Sequence, residues 1–241
     1  MYSNISIFNI NLPTYGIIVL FDIIFISIIG IIIIILNRLK IKHFLIIELY
    51  GGGSAIIGAK IWNMIFSQWN ISYKLFVHSG LSSYGGIFFG IIGIYIASKI
   101  YNIIIDDYKQ QLIFLVPLFH GIWKIGCFMG GCCYGIKYNG PGAVSYPIGI
   151  NEGSGISVFP IQLLEAFILF ALAVFFYIDR YKIKYAIALY IGLYSISRFF
   201  TDFLRWHKSK QILTTTQITS LICISLIILL TERIKLYEKK N

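Results

Sequence analysis

Apolar residues run through this chain in long blocks broken by short polar joints. Residues 17–36 are nearly unbroken, with Asp22 and Ser27 as the strongly polar members. About 20 apolar residues are enough for a helix to cross a bilayer. The same reading along the chain predicts seven spans, near 14–36, 44–66, 84–105, 111–131, 160–178, 185–204 and 211–230. The expected fold is therefore an all-α integral membrane protein, with residues 1–241 as a single polytopic domain. The first block is not expected to be a cleaved leader. No basic segment precedes it, its apolar run exceeds the usual about 7–15 residues, and Asn37-Arg38-Leu39-Lys40 follows in place of a small-residue cleavage site.

Charge sets the orientation. Arg38, Lys40 and Lys42 follow the first span, Lys99 and Lys109 flank the joint after the third, and Arg180, Lys182 and Lys184 follow the fifth. Arg233, Lys235, Lys239 and Lys240 end the chain, whereas its first 37 residues contain no lysine or arginine. The positive-inside rule then puts the N-terminus outside and the C-terminus in the cytoplasm. The net charge of +10 falls mostly in these joints, so it does not indicate nucleic-acid binding. Residues are 58% hydrophobic and 12% charged, with a mean hydropathy of +0.80, which agrees with a membrane protein. The segments expected outside, 67–83, 132–159 and 205–210, are rich in glycine. Irregular backbone near a membrane needs protein or water to satisfy it, so a structured, ligand-facing outer end is expected.

Charged groups inside apolar blocks are functional candidates by default. In "YSISRFFTDFLRW", Arg198, Asp202 and Arg205 are spaced i, i+4 and i+7, which places them on one helical stripe about 60° wide. Arginine presents a planar fork suited to phosphate, so this stripe reads as an anion site. The plain alternative is a helix-end ion pair with snorkelling arginines. Lys60 is either a lysine snorkelling outward or a second cation in the same outer cavity, and Lys124 is a third candidate cation for one anionic ligand. Glu165, three residues after Gln162 in "VFPIQLLEAF", is either part of the site or the partner of a nearby lysine or arginine. Tyr15 and Tyr84 stand near outer helix ends, where an aromatic belt is ordinary; Tyr84 also precedes Gly85-Gly86.

The four cysteines are Cys127, Cys132, Cys133 and Cys223. Cys223 reads as a small hydrophobe within the last span. On a continuous helix Cys132 and Cys133 would lie about 140° and 120° from Cys127 and would not converge, although Gly130-Gly131 is expected to break the helix. A zinc site lacks an evident fourth ligand, and His120 would face elsewhere. A Cys127–Cys132 disulfide bracing the turn stays open. No metal or cofactor is expected.

Several ordered segments together resemble the prolipoprotein diacylglyceryl transferase family: "LPTYGIIVLF", "GAKIWNMIF", "GLSSYGGIFFG", "KIGCFMGGCCYG", "FPIQLLEAF", "SRFFTDFLR" and "TTTQITSLI". The resemblance implies an enzyme of lipoprotein biosynthesis in the bacterial plasma (inner) membrane. It would move the diacylglyceryl group of phosphatidylglycerol to the lipobox cysteine thiol that follows a prolipoprotein signal peptide. It implies catalytic roles for Arg198, Asp202 and Tyr84. Substrate-binding roles would fall to Lys124, Tyr15, Lys60, Arg205, Gly126, Cys127, Gly135 and Glu165. The chain departs from the family pattern at several of these positions. Tyr84 stands where the family usually has histidine, and a phenol with an ordinary pKa of about 10 is a poor base. Lys124 replaces an arginine, Cys127 an asparagine and Cys132 a glutamate. A lipid-binding membrane protein of the same fold, without catalysis or with another acceptor, is the alternative. Anion transport would call for inverted repeats, which are not visible, and thiol redox chemistry would depend on the cysteines alone.

Overall fold

The computed structural model describes residues 4–7, 10–68, 80–147, 155–183, 185–207 and 212–240. Parts of the expected outer segments (69–79, 148–154 and 208–210) and Lys184 of the basic joint lie outside the described residues. A short antiparallel hairpin, β1 (Asn4–Ile7) with β2 (Ile10–Pro13), leads into α1 (Thr14–Leu36). Then follow α2 (Ile41–Asn63), which ends in a π-helical turn Met64–Gln68, α3 (Ser83–Tyr101), α4 (Ile105–Leu112) and α5 (Leu115–Met129). A second small hairpin pairs β3 (Val144–Ser145) with β4 (Ser157–Val158). The chain finishes with α6 (Ile161–Asp179), α7 (Ala186–Thr201), a 3-10 turn Asp202–Leu204 and α8 (Thr215–Lys240). Among the described residues, six helices are long and apolar enough to cross a membrane, and seven if α4 and α5, bent by 48°, count as one span. The helical membrane fold is as expected, with the two hairpins as additions.

The α4–α5 bend has a covalent cause. Pro117 has no N–H to give to the Ile113 carbonyl, and its ring would crowd that oxygen. The Val116 N–H bonds Ile113 O instead at 3.2 Å, and the Leu118 N–H restarts the ladder on Phe114 O at 3.2 Å.

The chain divides into two compact units. One comprises residues 27–112. Here α2 and α3 cross on small residues: Gly51, Ala55, Gly58 and Ala59 face Gly85, Gly86, Gly90 and Gly93. Lipid tails are as apolar as leucine, so helices in a membrane gain from close backbone approach more than from burial of grease. At its other end Ile34, Phe44, Ile103 and Tyr108 form a buried cluster, and the Tyr108 hydroxyl donates to Lys40 O at 3.2 Å.

The other unit comprises residues 1–26 and 113–241. The Phe170 ring of α6 lies where a side chain on Gly121 of α5 would go, and Ile18 of α1 packs over Gly126. The Tyr15 and Trp123 rings meet edge-on at 5.7 Å. Between α5 and α6 the chain forms a strap. Gly135 pairs with Arg205, Lys137 pairs with Val158, and Tyr134, Tyr146 and Val158 form a buried cluster.

Two glycine substitutions test the α2–α3 crossing. A Cβ on Gly85 would stand 2.6 Å from Gly58 O and 3.0 Å from the Ala59 Cα, backbone that cannot turn aside. Gly85→Ala is expected to destabilise by about 1–3 kcal/mol, as overpacking does. Gly52 has open space, and Gly52→Ala should be neutral or stabilising through helix propensity. Thermal unfolding of the two variants in detergent, compared with the parent chain, measures the difference.

Candidate functional site

Glu165 sits on α6 one turn after Pro160, with its side chain 5% exposed. Three cations surround it. Lys124 Nζ of α5 is 2.9 Å from Oε2, Arg198 of α7 binds Oε1 through Nη1, and Arg205 Nη1 is 3.8 Å from Oε1. Removing a carboxylate from water costs several kcal/mol unless cations and hydrogen bonds replace the solvent. The sequence alternative, that Glu165 partners a lysine or arginine, therefore holds in a stronger form: it partners both, from three separate elements.

Asp202 supports the second arm of Arg198. Its Oδ1 is 3.3 Å from Arg198 Nη2, and its Oδ2 lies 3.2 Å from His207 Nε2 and accepts from Thr214 Oγ1 at 2.5 Å. Thr214 is also the N-cap of α8. The Gln217 N–H donates to Thr214 Oγ1 at 3.1 Å, and the Thr214 N–H donates back to Gln217 Oε1 at 3.0 Å. This is a capping box, in which Gln217 satisfies one otherwise orphaned donor. The start of the last helix thus fixes Asp202, and Asp202 fixes Arg198.

The expected single helical stripe does not extend to Arg205. The α7 helix tightens to a 3-10 turn at Asp202–Leu204, and Arg205 is extended, with φ −92° and ψ 143°. It is held by strand-like pairing: Ile136 N–H to Leu204 O at 3.0 Å and Trp206 N–H to Tyr134 O at 3.1 Å. Gly135 is required at this crossing. A Cβ there would press on Phe159 O and stand 2.8 Å from Leu204 O. Arg205 still reaches Glu165, but the strap positions it instead of the helix.

Lys124, Glu165, Ile168, Leu169, Tyr194, Ser197, Arg198 and Thr201 line a small cleft. His120, four residues before Lys124 on the same face of α5, lies 3.3 Å from the Tyr190 hydroxyl, and its ring is 5.0 Å from that of Tyr194. Sequence reasoning did not count it in the site, although the i, i+4 spacing to Lys124 was a usable signal. Asp22 was noted in the sequence only as a polar break in the first span. It is fully buried, and neither oxygen has a hydrogen bond among the described residues. Lys60, on α2, and the buried Tyr84, on α3, belong to the other unit.

The cysteines converge, against the expectation for a continuous helix. The helix ends at Met129, Gly131 takes a left-handed φ of 72°, and its N–H bonds Phe128 O at 3.3 Å. The Cys132 N–H then bonds Cys127 O at 3.1 Å. This pair of bonds is a Schellman motif, which turns the chain back over the last helical turn. Cys133 follows, also left-handed at φ 60°. The Sγ atoms of Cys127, Cys132 and Cys133 all lie within 4.8 Å of one another. All four cysteines are free thiols. The turn is tied to α6, because Gln162 Nε2 donates to Cys132 O at 2.7 Å and to the Tyr146 hydroxyl at 3.0 Å. Burial pushes the Tyr146 phenol up to about 12, and the Gln162 hydrogen bond opposes part of that rise.

Residues 3–232 match the model of the prolipoprotein diacylglyceryl transferase family. Among curated relatives, a protein of Clostridium perfringens named phosphatidylglycerol–prolipoprotein diacylglyceryl transferase 2 is 29% identical over 199 residues, covering 78% of this chain and 77% of its own length. A Clostridium tetani protein named phosphatidylglycerol–prolipoprotein diacylglyceryl transferase is 30% identical and covers 78% of each chain. A Finegoldia magna protein with that same name is 28% identical, over 92% of this chain and 90% of its own. A family match that spans nearly every helix, and takes in the elements that bring Lys124, Glu165, Arg198 and Arg205 together, makes this chain a member of the prolipoprotein diacylglyceryl transferase family.

Proposed function

We propose that this chain transfers the diacylglyceryl group of phosphatidylglycerol to the lipobox cysteine thiol of prolipoproteins. The reaction would take place at the outer side of the bacterial plasma membrane, with the N-terminus outside and residues 1–241 working as one membrane domain. The observation that carries the reading is the charge balance of the buried network. Three cations, Lys124, Arg198 and Arg205, meet two carboxylates, Glu165 and Asp202, beside a cleft. One positive charge is in excess, which suits a phosphodiester headgroup.

In the transfer, the acceptor sulfur attacks the glyceryl carbon, a C–S bond forms, and the bond from that carbon to the phosphate oxygen breaks. Negative charge grows on the departing glycerol phosphate. Donors fixed beforehand around that oxygen stabilise the transition state with little reorganisation. Arg198 takes this role. It is clamped by Glu165 on one arm and Asp202 on the other, so its fork is oriented before the lipid arrives. Lys124 and Arg205 complete the anion site, and Glu165 holds the three cations together while the lipid is absent. Lys124 keeps the charge of the family's arginine but not its bidentate fork. By the family pattern Tyr15, Gly126 and Cys127 are substrate-binding residues: Tyr15 and Gly126 meet where α1 and α5 touch, Cys127 lies three residues after Lys124 on α5, and Gly135 lets the strap deliver Arg205. By their positions in the family pattern, Lys60 is a substrate-binding residue and Tyr84 a catalytic one. A phenol at position 84 is a weak base, so the acceptor thiol needs another route to its thiolate.

Purified chain mixed with phosphatidylglycerol and a lipobox peptide is expected to add the diacylglyceryl mass to the peptide cysteine, read by mass spectrometry. Arg198→Ala should slow transfer by about 10²–10³-fold, the usual cost of removing one transition-state donor. A peptide left unmodified by protein that still binds phosphatidylglycerol would favour the lipid-binding alternative. Glu165→Gln leaves the buried Lys124 and Arg198 and the half-buried Arg205 short of a counter-charge, and loss of a buried partner costs about 3–5 kcal/mol. A clear drop in the thermal unfolding midpoint should accompany it, larger than that of Arg205→Gln, whose guanidinium is the more distant partner.

A further inference from the structure

We propose that Cys127, Cys132 and Cys133 form a three-thiolate site for zinc, with the fourth coordination position open to a thiol from outside the chain. The Schellman turn brings together sulfurs that helical periodicity would separate, all within 4.8 Å. Three thiolates around a tetrahedral zinc, each about 2.3 Å from the metal, sit about 3.8 Å apart. The cluster needs to contract by no more than about 1 Å, which side-chain rotation supplies. Among the described residues no histidine or carboxylate joins the group. Three protein ligands with one vacancy is the pattern of reactive zinc sites, whereas structural sites carry four. Soft sulfur donors favour zinc or copper(I) over magnesium or calcium. A position left open selects zinc, since three thiolates already complete the coordination of copper(I). Access is graded to match: Cys127 is buried, Cys133 half-buried and Cys132 exposed, so the vacancy opens toward the Cys132 side.

The site adjoins the anion site. Cys127 follows Lys124 by three residues on α5, about one helical turn. Gln162, three residues before Glu165 on α6, holds the carbonyl of Cys132. Resting on the transferase reading, the incoming ligand is the acceptor cysteine. A thiol bound to zinc is deprotonated outright, so its proton passes to water and the sulfur reaches the glyceryl carbon as thiolate. The C–S bond forms, the C–O bond to phosphate breaks, and zinc keeps its oxidation state. This supplies the activation that Tyr84 is poorly suited to give.

The test uses the full chain purified in detergent. Zinc per chain, measured by inductively coupled plasma mass spectrometry at controlled free zinc, should be one for the parent and for Cys223→Ser, whose sulfur lies outside the cluster. Affinity should fall at least tenfold in Cys132→Ser, a surface change, and in Cys127→Ser and Cys133→Ser, with size-exclusion profiles confirming folded protein. Cobalt(II) substituted for zinc should show a thiolate charge-transfer band. A lipobox peptide should shift that band, and its Cys→Ser counterpart should not. Equal zinc binding by parent and cysteine variants, or a cobalt spectrum blind to the peptide thiol, overturns the proposal. Metal-free protein that transfers at the parental rate also overturns it and leaves the transferase reading intact. A cobalt spectrum that responds to the thiol, with no transfer by zinc-loaded chain, upholds the site and rejects that reading.

Discussion

A carboxylate buried on α6 has to be compensated by charge, because its hydration is gone and the surroundings are mostly aliphatic. Glu165 meets that demand with Lys124 from α5, Arg198 from α7 and Arg205 from the segment beyond α7. Three stretches of chain that are remote in sequence must therefore arrive at one point. Much of the surrounding architecture serves that arrival. The capping box of α8 fixes Asp202, which fixes Arg198. The Gly135 crossing fixes the backbone of Arg205. Phe170 settling over Gly121 sets how closely α5 approaches α6.

Such a network is costly as a pure stability device, since well-packed apolar side chains would often do as well. On the proposed reading its value is preorganisation. Cations already paired and oriented can bind an incoming phosphate without waiting for solvent or side chains to rearrange. The excess of one positive charge gives the site a sign, and a small cleft lies beside Glu165 and Arg198. The cysteine turn begins about one helical turn beyond Lys124 on α5.

Much of this was legible one residue at a time. Long apolar runs identify membrane helices because an unsatisfied backbone amide in hydrocarbon is so expensive that only helices and closed barrels survive there. Arg198, Asp202, Lys124 and Glu165 were conspicuous because charge is rare in such runs. Other features escaped for identifiable reasons. His120 lay in a helix whose exposed and buried faces cannot be separated by hydropathy when both are apolar. The break at Ile113-Phe114 was hidden inside an apolar run, although Pro117 was its signal. The 3-10 turn at Asp202 has no clear signature, so helical spacing alone carries the stripe through to Arg205.

What the sequence by itself determined was the membrane-spanning helical class, the identity of the charged residues inside it and the family pattern they follow. Those properties depend on composition and spacing within single segments. The tertiary structure alone decided which charges share a partner, that Arg205 is delivered by a strap and not by a helix, and that three cysteines meet. Each of these depends on where the backbone reverses or on how closely two elements approach. Gly131 turning left-handed, and Gly135 admitting two carbonyls where a methyl group would not fit, settle those contacts through geometry that spacing along a helix cannot express.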